Sequence, residues 1–120
     1  MLDAGEILRD LQAAVDARDA DRLIALFDEP AMLIGAAGDG RTREGLVGYL
    51  TAVASSEPFC WEWSEIVPFF QNDASLGFAA FGEIVAGDVR APIRATLFAV
   101  ETANGWRLRE FHGSIPHVES

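Results

Sequence analysis

The chain has 120 residues and a mass of 13.0 kDa, which suits one domain built on one core. Half of it is hydrophobic and its mean hydropathy is +0.15, so it is no disordered chain, and apolar surface is left over for a partner or a ligand to cover. Nineteen acidic residues against nine arginines and no lysine give a net charge of −10, which repels a nucleic-acid duplex or an anionic membrane surface rather than attracting it.

Residues 3–18 have the spacing of an amphipathic helix: Ile7, Leu8, Leu11, Ala14 and Val15 form one stripe, and Glu6, Arg9, Asp10, Asp16 and Arg18 take the other face. Asp3 is its expected N-cap, with Glu6 at capping-box spacing. The same opening segment lacks the basic start and apolar stretch of a secretion signal, and no run is long enough to span a membrane, so a cytoplasmic location is expected. A short second helix is expected over Asp21 to Phe27, ending before Pro30. Met32 to Ala36 is a short apolar strand, and Gly38-Asp39-Gly40 a turn. Thr42 caps a third helix to about Ala54, with Leu46, Val47, Tyr49, Leu50 and Val53 as its apolar face, and Gly45 and Gly48 suggest close packing.

After Pro58 the pattern becomes extended. Four strands are predicted, over 59–70, 76–86, 93–102 and 106–112, with Asn72-Asp73, Gly87-Asp88 and Asn104-Gly105 closing the hairpins. Pro68 inside the first of them points to an edge strand or a bulge. The strands are apolar on both parities: Leu76, Phe78 and Ile84 are opposed by Phe81 and Val85, and Ile93, Leu97 and Ala99 by Phe98 and Val100. An antiparallel sheet with one wet face alternates cleanly, so both faces of this one are expected to be covered. Three helices cover one. A second copy of the chain, in a homodimer, is expected to cover the other.

Helices first and a meander after them give an α+β fold. The residues Asp19-Ala20-Asp21-Arg22-Leu23, Leu26-Phe27, Met32, Gly38-Asp39-Gly40-Arg41, Glu44-Gly45-Leu46 and Tyr49-Leu50 resemble the opening of the nuclear transport factor 2-like superfamily. The closing run from Gly105 through Trp106 and His112 to Ser114 is similar to its SnoaL-like branch, and to the association domain of calcium/calmodulin-dependent protein kinase II. The resemblance covers nearly the whole chain as a single SnoaL-like domain. It implies a cone, a curved antiparallel sheet wrapped around three N-terminal helices with a pocket between, and pairing through the outer sheet face. Many relatives carry a second histidine two residues before His112; here Glu110 stands there, so two-histidine chemistry is not carried over.

Candidate site residues follow from the last hairpin. A three-residue loop Ala103-Asn104-Gly105 sets Thr96 opposite His112, Phe98 opposite Glu110 and Arg94 near Ser114. A two-residue Asn104-Gly105 loop slips that register by one and breaks the set. If the face shared by Arg94, Thr96, Glu110 and His112 is the concave one, Glu110 or His112 is a candidate general base, and Arg94 a holder of an anionic group, among Tyr49, Trp61, Trp63 and Phe98. The same residues equally suit a structural Arg94–Glu110 ion pair and a hydrogen-bonded His112. His117, beyond Pro116, reads as a surface residue, and Cys60, the one cysteine, as a small buried hydrophobe beside Trp61. No zinc pattern, phosphate loop or serine elbow is present, so neither metal nor cofactor is expected. The expected function is binding of a small apolar or amphipathic molecule, with cofactor-independent isomerase, cyclase or dehydratase chemistry as one extension and a non-catalytic association module or ligand sensor as the alternative.

Overall fold

The computed structural model describes residues 2–35 and 38–115. Helix α1 spans Ala4–Asp16 and α2 Ala20–Ala25; strands β1 and β2 span Phe27–Gly35 and Gly38–Gly40. Helix α3 spans Arg43–Ser55, and β3 to β6 follow over Cys60–Gln71, Ser75–Ala86, Val89–Thr102 and Gly105–Ser114. His117 lies outside the described residues.

Each helix starts where a side-chain oxygen can satisfy an orphan amide. Asp3 Oδ1 accepts from Glu6 N at 3.2 Å, Asp19 Oδ1 from Arg22 N at 3.1 Å, and Thr42 Oγ1 from Gly45 N at 3.0 Å. The second helix is shorter than the periodicity suggested: Phe27 already opens β1, which carries Pro30 through an irregularity in its pairing between Phe27 and Met32. There a proline's missing N–H removes no ladder bond. Gly38-Asp39-Gly40, expected as a turn, is a short strand paired with β1, Leu33 opposite Gly40. A Cβ on Gly40 would stand 2.7 Å from the Leu46 Cα, so β2 and α3 touch backbone to backbone there. The close packing expected of the helix glycines holds at Gly45, beside Thr42 Oγ1, but not at Gly48, which faces open space.

The six strands form one curved sheet in the order β2-β1-β6-β5-β4-β3, antiparallel except where β1 runs parallel to β6. The fold is thus the α+β cone the resemblance implies, on a mixed rather than wholly antiparallel sheet. β3 is the expected edge strand, with register shifts around Ser64 and Phe69 that bracket Pro68. Such bulges bend a strand and discourage edge-to-edge pairing. The inner face carries Leu76, Phe78 and Ala80 from β4, with Ala95, Leu97 and Ala99 beside them on β5. These pack on Ile7, Leu11 and Leu46 from the helices in one core; Ile7, Leu46 and Phe78 are each 0 % exposed.

Two further bonds tie helix segments to the sheet and a third ties β6 to β1. Leu108 N donates to Leu26 O at 2.8 Å, Trp106 Nε1 to Asp10 Oδ2 at 3.2 Å, and Arg109 Nε to Asp28 Oδ2 at 2.7 Å. That last bond, with the Arg109 charge, holds the Asp28 carboxyl below its ordinary value.

Two predictions test this frame. Phe78→Ala removes the largest fully buried side chain of the central sheet and is expected to lower unfolding free energy by about 3–5 kcal/mol; a loss under about 1 kcal/mol in urea titrations would contradict the core as described. Because the Asp28 carboxyl titrates lower in the folded state, its pairing stabilises the fold fully above the unfolded carboxylate range and is lost as pH falls through the lower folded value. The gap in melting temperature between wild type and Arg109→Ala is therefore expected at neutral pH and closed in strong acid; a gap independent of pH would refute the pairing.

Candidate functional site

Between the helices and the inner face lies a cavity of about 260 Å³. Its helical wall comes from Leu11 and Val15 of α1, Leu23 of α2, and Tyr49, Leu50 and Val53 of α3. The sheet supplies Phe27 and Leu33 from β1, Ile84 and Ile93 from the β4–β5 hairpin, and Phe111 and Gly113 from β6. Phe59 and Trp61 close it at the start of β3, where their rings meet edge to face at 5.2 Å. Trp61 and Phe111 stand 6.4 Å apart.

The aromatic wall is held by one polar side chain. Gln12, on α1, donates through Nε2 to Phe59 O at 3.3 Å and accepts at Oε1 from Trp61 N at 2.8 Å. Trp61 pairs with Ile84 of β4 on its other side, so Gln12 takes the place of a neighbouring strand along the open edge of β3. A sequence reading treats Gln12 as one more polar residue of α1, because the clamp exists only once β3 is brought alongside.

Two glycines shape the interior. Gly35 ends β1 directly under the Tyr49 phenol, and a Cβ there would collide with the Tyr49 hydroxyl. At Gly113 a Cβ would lie 3.1 Å from the Phe111 ring. Burial raises the Tyr49 phenol above its ordinary value, so it stays protonated and neutral across physiological pH.

The structure splits the residues singled out from sequence into two groups. Tyr49 and Trp61 line the cavity; Trp63 stacks on Trp61 at 6.2 Å as the next layer of the same wall. Arg94, Phe98, Glu110 and His112 do not line it. Their register is the expected one, Thr96 opposite His112 and Phe98 opposite Glu110, with Arg94 Nε donating to Ser114 Oγ at 3.1 Å. The route to it differs: Thr102 pairs with Gly105, giving a two-residue loop, and a bulge between Phe98 and Ala99 restores the slipped register. Gly105 takes the left-handed conformation, φ +98°, as the turn requires.

What is corrected is the face. Leu97, Leu108, Phe111 and Gly113 turn inward, so the pleat sends Thr96, Phe98, Glu110 and His112 outward. Arg94, Glu110 and His112 are exposed there, away from the helices. Arg94 lies opposite Ser114 and Glu110 opposite Phe98, four residues apart along the ladder, and the two form no ion pair among the described residues. Cys60 is half-buried at the head of β3. No cluster of three metal-ligating side chains occurs among the described residues.

Gln12→Ala removes the clamp and leaves the Phe59 carbonyl and Trp61 amide to find other partners. The expected loss is about 1–3 kcal/mol in denaturant titrations, with a red-shifted tryptophan emission as the wall loosens. An unchanged spectrum and midpoint would deny the clamp its role.

No family model and no curated protein matches the sequence. Solved structures do match. A candidate dehydratase of the NTF2-like family from Streptomyces avermitilis superposes with a TM-score of 0.83 at 15% identity, covering 95% of this chain and 94% of that one. A candidate calcium/calmodulin-dependent protein kinase II association domain from Xanthomonas campestris gives 0.85 at 15% identity, over 95% and 86%. A protein of unknown function with a cystatin-like fold from Nostoc punctiforme PCC 73102 gives 0.77 at 14% identity, over 93% and 87%. On a backbone likeness that runs nearly end to end at such low identity, the chain has the nuclear transport factor 2-like, cystatin-like fold.

Proposed function

We propose that this protein is a SnoaL-like pocket protein that binds a small, largely apolar molecule in the cavity between its helices and its sheet. The cavity itself carries the reading: about 260 Å³, bounded by aromatic and aliphatic side chains. An engineered apolar cavity of about 150 Å³ is already enough to stay dry and take up benzene. Tyr49 and Trp61 are the ligand-contacting residues, and Trp63 backs them.

Binding rather than turnover is the activity the geometry supports best. Isomerase, cyclase or dehydratase chemistry needs a group that moves a proton at the substrate, within hydrogen-bond reach of it. Tyr49 is the only titratable side chain among the described residues of the cavity wall, and its phenol is a poor base while protonated. Glu110 and His112 stand on the opposite side of the sheet.

A second reading, association of copies of the chain, has its own observation. The outer face exposes Val67, Phe69, Phe70 and Phe81 on neighbouring strands, with Phe69 60% and Phe81 39% exposed, and Phe70 packed on Phe98 at 5.9 Å. A patch of this kind on a sheet face suits an isologous interface. The two readings are compatible, since pocket and patch lie on opposite faces. A lone cysteine without a disulfide partner fits a reducing, cytoplasmic setting.

The pocket is tested by titrating the protein with naphthalene while following tryptophan emission and melting temperature. Saturable binding that raises the melting temperature is expected, and Val53→Trp, which fills the cavity, is expected to abolish it with far-UV circular dichroism unchanged. Naphthalene binding that persists in Val53→Trp would place the ligand elsewhere. Sedimentation equilibrium at micromolar concentration tests the association: wild type is expected at twice the chain mass and Phe81→Asp at the chain mass. A wild-type monomer would end that reading.

A further inference from the structure

The outer face of the sheet sets polar and aromatic side chains in register across three strands. Phe81, Arg94 and Ser114 align on β4, β5 and β6, and two residues further along Ala79, Thr96 and His112 do the same. Cross-strand neighbours on one face stand about 4.5–5.5 Å apart, so Arg94, Thr96, His112 and Ser114 form one cluster beside the Phe81 ring. Ala79 and Thr96 are the small members of these rows, and a depression of about 300 Å³ opens there, lined by both rows.

The cluster is built of donors. Arg94 Nε donates to Ser114 Oγ at 3.1 Å, a neutral partner that steadies the guanidinium while its other N–H groups remain to be offered. The His112 ring and the two hydroxyls add donors of their own. Arg90, the other outward arginine of β5, differs: its Nη1 donates to Glu62 and to Glu83, each at 3.0 Å, so carboxylates of the fold answer its charge. Glu110, next along the same side of β6, stands opposite Phe98, and Glu65 stands opposite Phe81 on β3; neither lines the depression.

A planar fork of donors beside an exposed ring suits one class of ligand. A carboxylate takes two parallel N–H bonds from a guanidinium, and an apolar body attached to it covers the aromatic face. We propose that this depression is a second ligand site, which binds small carboxylates with an apolar body. Arg94 holds the carboxylate, Thr96, His112 and Ser114 supply the remaining donors, and Phe81 carries the body. The site is independent of the internal cavity, from which the sheet separates it. The anion-holding role expected of Arg94 is thus assigned to the outer face. A second copy seated on that face would cover the same residues, so ligand and pairing compete for them.

The probes are benzoate, benzyl alcohol and inorganic phosphate, titrated at neutral pH and followed by the shifts of backbone amides in nuclear magnetic resonance spectra. Each is added to the full wild-type chain and to Phe69→Ser, an outer-patch variant that weakens pairing and leaves both rows intact. In Phe69→Ser, benzoate is expected to bind saturably, with shifts centred on residues 79–81, 94–96 and 112–114. It is expected to bind at least about tenfold tighter than benzyl alcohol, the worth of one charge-assisted hydrogen bond, and tighter than phosphate, which gains nothing from Phe81. Adding Arg94→Gln is expected to abolish the preference for benzoate over the alcohol, and Val53→Trp, which fills the internal cavity, to leave benzoate binding unchanged. No benzoate binding in either host, a benzoate preference that survives Arg94→Gln, or phosphate binding as tightly as benzoate would each overturn the inference. Benzoate binding lost in Val53→Trp would place it in the cavity and overturn the inference while the pocket reading stands.

Discussion

The pleat of the sheet is the constraint from which the rest follows. Successive side chains on a strand point to opposite sides, so β4, β5 and β6 divide their residues between the helices and the outside with no intermediate choice. Leu97 and Phe98, adjacent in sequence, serve different surfaces: one is 1 % exposed in the core, and the other packs on Phe70 outside. A group's chemistry is therefore settled by parity before its neighbours are considered. His112 and Glu110 share the outer parity, and no rotamer change brings them through the sheet to the cavity.

Curvature turns this flat rule into a container. Bulges around Ser64 and Phe69 bend β3, and a further one on β6 shifts its pairing with β5. A bulge raises local twist and lets a sheet wrap rather than spread. The edge that results would be a row of free amides and carbonyls. Gln12 covers its first stretch, and the bulges with Pro68 blunt the remainder. The same device gives the cavity its aromatic wall, since the residues Gln12 fastens are Phe59 and Trp61. Edge protection and site formation are here one interaction.

Much of this was legible in the chain. Asp3 and Thr42 announce the starts of α1 and α3, because short acceptors at those spacings have few other uses, whereas the cap of α2, Asp19, lies two residues before the expected start. The doubled apolar parity of the strands matches a sheet with apolar side chains on both faces, the inner one packed in the core and the outer one exposed, and the hairpin residues marked the meander. Phe27 misled, since an apolar residue at a helix end has the same spacing as one at a strand start. The short β2 was hidden because glycine and aspartate read as a turn whether or not they pair. The inner side of the sheet was harder still: both parities carry phenylalanine and valine. A weaker signal was nonetheless there. On β5, Arg90 and Arg94 fall on the parity that the structure turns outward, whereas its inward parity carries no charge from Ala91 through Ala99; on β6 the bulge at Arg109 switches the parity and hides the signal. In a strand with two apolar faces, charge rather than hydrophobicity tells which side meets water or another chain.

An apolar hollow in so small a domain asks for a reason. At roughly 24 cal/mol per Å³, a void of 260 Å³ weakens a fold by up to about 6 kcal/mol, an upper figure because this cavity has a mouth. That is comparable with the whole stability of a domain, roughly 5–15 kcal/mol. Filling it would take little: a larger residue at Val53, or a side chain at Gly113. The interior instead combines a bare Gly113, a bare Gly35 that admits a phenol, and aromatic rings held open by Gln12. An occupant that covers those rings recovers the lost packing, so the molecule that fits the hollow also completes the core. A ligand of this cavity would therefore draw its affinity from the same apolar surface that folding stability draws on.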